Sequence, residues 1–335
     1  MYESYLSPEY LSARDLMEVM VANSQRPGEG NLGFVEALGS YLYGKQFCIS
    51  TVSDPELADR ALLVVDVGDP DGEEVLSAFS HSDVVGVDGQ TWYTDPWKLN
   101  QVNDRWVARG ACDTHASGTA MLLAAARSDV SESLRNVGKR ARIIFTYDEE
   151  DPTAELSFRG VRMAVGGFGN NPMVTSKYFI VGEPTEIHDQ LIAMRANKGR
   201  WLASFNISVE RAGHSAEDVQ NALTIGAALV TKIASFAQYL RQQPVDEMAG
   251  LFNPPYSSAQ VTAADVKKGG LSITPSESSF TVDLRTVPGT HASVVRKLSD
   301  LIVSEPLELG ASLRLGVIDD FAGSATDHTL SLIHI

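Results

Sequence analysis

Four short apolar runs alternate with helical stretches through roughly the first 190 residues, and this order limits the fold most. Ala61 to Val67, Val75 to Ser80, Arg142 to Tyr147 and Tyr178 to Val181 read as strands. Ser12 to Ala22, Leu32 to Tyr43 and the Ala- and Leu-rich Ala116 to Arg127 read as helices, with Phe158 to Val165 a further helical stretch. Strands separated by helices predict an α/β domain with a largely parallel sheet and helices on both faces. Gly68-Asp69-Pro70-Asp71-Gly72 supplies turn chemistry between the first two strands.

The pattern changes after about Leu191. Trp201 to Glu210 alternates like a strand with one wet face. A long helix over Ala222 to Leu240, strands over Ala259 to Asp265 and Ser279 to Arg285, and a helix over His291 to Val303 follow. This order predicts an α+β unit with an open sheet. The expected organisation is a first domain over 1–194, an inserted one over 195–309, and a return to the first domain over 310–335.

Composition narrows the function. The formal net charge is −16, which disfavours nucleic acid and anionic membranes as partners but not cationic or zwitterionic substrates or divalent metals. No apolar run stands out as a membrane span, and Met1 to Met20 lacks the basic start and apolar middle of a secretion signal. Only Cys48 and Cys112 are present, so no disulfide framework is required. A cytoplasmic location is the expectation. The basic run Lys139 to Arg142 leads straight into a strand and reads as a solvated strand entry. Pro27-Gly28-Glu29-Gly30 is glycine-rich but has neither a preceding strand nor a following lysine, which argues against phosphate binding.

The chemistry lies where strands end. His81 and Asp83 follow one strand, Glu149 and Glu150 another, and Glu183 a third; Asp113 stands just ahead of the Ala116 helix. Sites in open α/β sheets form outside the carboxyl ends of strands. Each piece alone reads as an ordinary polar turn; their common placement points to a site. One imidazole with several carboxylates suits zinc, cobalt or manganese, and a carboxylate can bridge two ions. Of the adjacent Glu149 and Glu150, one can bind metal while the other stays free as a base. Asp83 is placed to hydrogen-bond the His81 ring and hold its tautomer.

At these residues the chain resembles the acetylornithine deacetylase and succinyl-diaminopimelate desuccinylase family of two-zinc, metallopeptidase-like amidohydrolases. The resemblance runs through Ser80-His81-Ser82-Asp83, Asp95-Pro96, Arg109-Gly110-Ala111-Cys112-Asp113, Asp148-Glu149-Glu150 and Gly182-Glu183-Pro184. It continues through Lys198-Gly199, Gly213-His214-Ser215, Gly269-Gly270 and Asp283-Leu284-Arg285. It implies a zinc-exopeptidase-like sheet and an inserted dimerisation domain with a four-stranded antiparallel sheet. It further implies two Zn2+ or Co2+ ions: His81, Asp113 and Glu183 on one, Asp113 bridging, and Glu150 on the other. Glu149 would be the general base, and Asp83 and His214 would assist catalysis, His214 from a neighbouring subunit of a homodimer. Arg285 would hold the substrate carboxylate. The peptide bond after Asp113 is expected to be cis.

Three departures stand out. Thr114-His115-Ala116 replaces the family's usual Met-Lys-Gly, Ser272 stands where a substrate-contacting Asn is usual, and Asp151 to Ser157 is atypical. The family's last metal-ligating histidine has no counterpart. His328 sits at an expected helix start, and Ser331 to Ile335 resembles translated adapter sequence. A chain truncated at its C-terminus, with an incomplete second metal site, is the expectation. The activity implied is hydrolysis of an N-acyl-L-amino acid, N-acetylornithine in arginine biosynthesis first. The alternatives are a desuccinylase, a dipeptidase or an aminoacylase of the same family, or a non-catalytic dimerising binding protein.

Overall fold

The computed structural model describes residues 11–151, 158–166, 173–187, 190–191, 194, 196–267 and 270–325. Residues 152–157, Gly269, His328 and the segment Ser331 to Ile335 lie outside the described residues. The chain divides into two compact units, Met1–Glu186 and Ile187–Ile335.

In the first unit, helix α1 (Ala13–Ala22) begins at Ser12, whose hydroxyl accepts the N–H of Asp15 at 3.3 Å and so satisfies one of the free donors of the first turn. It buries Leu16, Met17, Met20 and Val21. Helix α2 (Leu32–Leu42) buries Phe34, Val35, Leu38 and Leu42, one apolar stripe at helical spacing. Strands β1 (Cys48–Ser53), β2 (Ala61–Gly68) and β3 (Glu73–His81) follow. Next come the hairpin β4 (Asn100–Val102) and β5 (Arg105–Val107), then helices α3 (Ala116–Ala125) and α4 (Ser128–Asn136). Strand β6 (Lys139–Thr146), helix α5 (Arg159–Ala164) and strand β7 (Tyr178–Val181) complete the unit.

The sheet order is β1-β2-β6-β3-β7. Strands β6, β3 and β7 are parallel, whereas β1 and β2 pair antiparallel, so the sheet is mixed. Leu62 to Val65 are all buried because both faces of β2 are covered. Leu63 and Val65 join a core with α1, α2 and α3, while Leu62 and Val64 pack in a second core with Met163 and Ala164 of α5. A continuous apolar run is what a strand buried on both faces requires. Strand β1, which the sequence reading did not single out, is largely exposed, with only Ile49 and Val52 partly buried.

A two-residue pair, β8 (Glu186–Ile187) and β9 (Gln190–Leu191), precedes β10 (Ala196–Asn197). The second unit then contains β11 (Gly199–Ser208), α6 (Ala222–Arg241), β12 (Ser258–Val266), β13 (Glu277–Thr286), α7 (His291–Glu308) and β14 (Ser312–Phe321). A last strand, β15 (Ser324–Ala325), pairs with β10. The four-stranded sheet has order β12-β13-β11-β14 and is antiparallel throughout. Trp201, Ala203, Phe205 and Ile207 of β11 alternate inward, as do Phe280, Val282 and Leu284 of β13. They pack with Leu229 and Ile233 of α6 and with Leu298 and Ile302 of α7. This is the two-residue period of a sheet covered on one face.

Two sequence readings need correction. Segment 310–335 was expected to return to the first domain, but residues 312–321 form β14, paired with β11 from Ser208↔Ser312 to Arg200↔Phe321. The central strand β11 needs partners for its backbone groups on both edges, and β14 supplies the second set. Helix α6 is long and apolar enough, by length and composition, to cross a membrane, although the sequence reading saw no such run. Ile225, Leu229, Ile233, Phe236 and Leu240 place one of its faces in the core of the second unit.

Candidate metal centre

Strands β3, β6 and β7 run parallel, so their carboxyl ends lie along one edge of the sheet. The register sets His81 opposite Thr146, and Phe79 opposite Val181. His81 therefore ends its strand beside the turn that carries Glu149 and Glu150, and beside the strand exit that carries Glu183.

Asp113 arrives from a different element, the five-residue π-turn Ala111–His115 that enters α3. Gly110 opens this turn with φ +80°. A Cβ there would lie 2.6 Å from a methyl of Val84 and 2.8 Å from Nε2 of His115, so glycine answers both to the left-handed backbone and to the crowding. The Asp113–Thr114 peptide is cis, as the resemblance implied. The hydroxyl of Thr114 accepts the backbone N–H of His81 at 3.2 Å and lies 2.8 Å from the hydroxyl of Ser80. The residue that departs from the family pattern thus ties the Asp113 turn to β3.

Two groups of side chains converge among the described residues: His81 with Asp113 and Glu183, and His81 with Glu149 and Glu150. In each group the ligand atoms lie within 4.8 Å of one another. Nε2 of His81 lies 3.1 Å from Asp113 Oδ1, 3.9 Å from Glu183 Oε1 and 4.0 Å from Glu149 Oε2. Its Nδ1 lies 2.8 Å from the carbonyl oxygen of Asp83 and donates to it. That bond leaves the lone pair of a neutral ring on Nε2, facing the carboxylates.

The electrostatics follow from crowding one imidazole and four carboxylates together. Burial penalises the charged His81 ring, yet the hydrogen bond to Asp113 and the charges of Asp83, Glu149 and Glu183 outweigh it and push the ring up to about 9. Burial, reinforced by Glu183, Glu150 and Asp83 against the pull of His81, pushes Glu149 up to about 7. Burial also raises Glu150 and Glu183. The hydrogen bond from His81 holds Asp113 below its ordinary value. Carboxylates that raise one another around a single oriented imidazole form an anionic cage, and a borderline divalent cation fits this donor set.

Asp83 is fully buried, but its carboxylate lies 3.7 Å from the His81 ring. The ring is held by the main chain of Asp83, and the carboxylate instead accepts the N–H of Glu150 at 2.9 Å. His115, the last residue of the π-turn, is buried, 2.7 Å from the hydroxyl of Ser24. Burial and the charge on His81 push it down to about 3, so it is neutral. Neither metal group includes it.

The remaining expected residues belong to the second unit. Nδ1 of the exposed His214 accepts the N–H of Ala216 at 3.2 Å. The carbonyl oxygen of Ser272 accepts the N–H of Ser215 at 2.8 Å. Arg285 makes two bonds, of 2.9 and 3.1 Å, to Asp283 two residues earlier on β13. The sequence reading missed the roles of Arg60 and Asp148. They form a buried ion pair at 3.0 Å, and residues so far apart in the chain carry no joint pattern.

A mixed sheet delivering histidine and carboxylates to one edge, accompanied by an α+β unit, defines a metallohydrolase architecture. Residues 79–295 match the model of peptidase family M20/M25/M40, and the chain belongs to that family. Acetylornithine deacetylase of Myxococcus xanthus is 30% identical over 249 residues, 73% of this chain and 58% of the relative. The chain thus spans less than two thirds of that relative's length. The Buchnera aphidicola enzyme of the same name, from the Acyrthosiphon pisum strain APS, is 22% identical over 86% of this chain and 68% of its own length. Among solved structures, an M20 family metallo-carboxypeptidase from Sulfolobus solfataricus aligns with TM-score 0.66 at 15% identity, over 96% of this chain and 80% of its own. A Staphylococcus aureus tripeptidase does so with TM-score 0.66 at 12% identity, over 96% and 79%. These two establish the shared fold.

Proposed function

We propose that this chain carries the chemistry of an N-acyl-amino-acid amidohydrolase, with N-acetylornithine the first substrate to test. The observation that carries this reading is the convergence of His81, Asp113, Glu149, Glu150 and Glu183 on one sheet edge, with Glu149 pushed up to about 7. The names of the Myxococcus and Buchnera relatives support the choice of substrate.

In this reading His81, Asp113 and Glu183 hold one divalent ion, zinc or cobalt, and Glu150 with Asp113 contributes to a second. The bound ions supply electrophilic polarisation of the scissile carbonyl. Glu149 is the general base: it removes a proton from the attacking water and delivers it to the departing amine. A carboxyl near 7 suits both transfers at neutral pH. The main-chain carbonyl of Asp83 keeps Nε2 of His81 free as a ligand atom, and the Asp83 carboxylate steadies the Glu149–Glu150 turn. Ser272 and Arg285 are assigned to substrate contact, His214 to assisting catalysis at a neighbouring subunit's site, and the second unit to a homodimer contact.

The test is a substrate panel on purified protein supplied with zinc or cobalt: N-acetylornithine, N-succinyl-diaminopimelate and a dipeptide. Release of ornithine, abolished by Glu149→Gln with metal content unchanged, supports the reading. Preferred cleavage of the succinyl compound or the dipeptide moves the assignment within the family. No hydrolysis of any of them by metal-loaded protein favours a binding protein.

A further inference from the structure

The Glu149–Glu150 turn begins at a residue in an unusual conformation. Asp148 has φ +53°, a left-handed backbone that aspartate tolerates better than most residues with a side chain. Its carboxylate reaches far along the chain. One oxygen accepts the N–H of Gly28 at 3.2 Å, and the other accepts Nε of Arg60 at 3.0 Å. The Arg60 and Asp148 side chains are 3% and 1% exposed, so the pair is shielded from water.

The glycine-rich segment Pro27–Gly30, which phosphate binding does not explain, belongs to this arrangement. Gly28, at φ +81°, turns its N–H toward Asp148. A Cβ on Gly30 would lie 2.9 Å from a carboxylate oxygen of Asp59 and 3.0 Å from its main-chain oxygen. Asp59 in turn lies 2.8 Å from the guanidinium of Arg60. Loop, arginine and aspartate therefore pack as one brace.

We propose that the Arg60–Asp148 pair, held by the 27–30 loop, is a positioning device that presents Glu149 and Glu150 in register for metal and substrate. The inference rests on the reading of those two glutamates given above. The turn is pinned at both ends: Asp148 by Arg60 and Gly28, and the Glu150 N–H by Asp83. Release of the first end lets both glutamates pivot. The other metal group, His81 with Asp113 and Glu183, is set differently, by the end of β3, the π-turn and the exit of β7, and contains neither Glu149 nor Glu150. The brace therefore acts on one group and spares the other.

The test is Zn2+ titration calorimetry on the full chain, with amide hydrogen exchange over residues 147–151. Arg60→Met is expected to weaken the lower-affinity zinc about tenfold or more, the size typical for loss of a group that orients a ligand, and to speed exchange at Glu149 and Glu150. The higher-affinity zinc stays near its wild-type value, and Arg60→Lys recovers much of the loss. The double variant Arg60→Met/Asp148→Asn removes both buried charges and guards against misfolding of the single variant; it is expected to behave like Arg60→Met. Arg159→Met, which breaks another buried Arg–Asp pair, is the control: it lowers Tm and leaves both zinc affinities in place. The proposal is overturned if Arg60→Met and the double variant bind both ions like wild type, or lose both equally with Tm. Wild-type protein that binds no zinc overturns the reading of the glutamates and this inference with it. Normal wild-type binding with unaltered variants overturns the inference alone.

Discussion

Nδ1 of His81 donates to the main-chain carbonyl oxygen of Asp83 at 2.8 Å, while the Asp83 carboxylate stands 3.7 Å from the ring. The tautomer of the His81 ring is thus set by backbone, which side-chain substitution does not remove. Asp83→Asn keeps an oxygen that can accept the N–H of Glu150, so its zinc affinity is expected to stay within about tenfold of wild type, the low end of such effects. Asp83→Leu removes that acceptor and is expected to cost more. Zinc titration of the two variants checks the order; equal losses would show that the carboxylate charge matters more than the bond to Glu150.

Both metal groups draw on the same imidazole, and its Nδ1 is already engaged, so one ion takes Nε2 and the other is left with carboxylates. About one tightly held zinc per chain is the expected outcome, with a second bound weakly. Elemental analysis after removal of excess metal measures it. His81→Ala is expected to abolish the tight zinc, and two tight ions per chain would contradict the argument.

Metal uptake and folding stability are expected to respond oppositely to pH. In the metal-free protein His81 is raised to about 9 and Glu149 to about 7. A raised pKa gives stability that is complete below the unfolded value and lost as pH rises through the folded one. Metal-free stability should therefore decline from about pH 4.5 to 7 through Glu149, and from about pH 6.5 to 9 through His81. Zinc must displace the His81 proton, so its apparent affinity should rise roughly tenfold per pH unit toward pH 9. Calorimetry in buffers of different ionisation enthalpy counts the protons released; zero release at pH 7 would refute it.

Asp54 behaves in the opposite sense. Burial raises its carboxyl, but Arg159 at 2.6 and 2.8 Å, the Tyr147 hydroxyl at 2.5 Å and the N–H groups of Glu56 and Leu57 outweigh burial and hold it well below the usual carboxylate range. A depressed pKa gives stability that is present above the unfolded value, near 3.9, and lost as pH falls. Asp54→Ala is expected to cost about 3–5 kcal/mol at pH 7, because it removes the carboxylate of a buried ion pair and leaves the Arg159 guanidinium with less compensation. Denaturant melts should show that gap to wild type narrowing below about pH 4.

Among the described residues, strand β7 pairs only with β3, and it exposes Tyr178, Phe179 and Val181. An open, apolar sheet edge invites pairing with another chain. Tyr178→Lys is expected to reduce concentration-dependent association in light scattering without altering the helix content.

The sequence by itself determined the strands β2, β3, β6, β7, β11, β12 and β13 and the sheet edge on which the candidate site gathers. Burial leaves a period, and parallel strands linked through helices end on the same side, so His81, Glu149, Glu150 and Glu183 could be set on one edge from their positions alone. The alternation of Trp201 to Ile207 likewise revealed a sheet covered on one face. Only the tertiary structure decided the partners: the carbonyl of Asp83 on the His81 ring, Arg60 on Asp148, Asp283 on Arg285, Ser24 on the buried His115, and β14 on the edge of β11. Such contacts join residues two to more than eighty positions apart, all but the β11–β14 ladder through one or two hydrogen bonds. A single bond imposes no repeat on the chain, so its pairing becomes visible only once the backbone has closed.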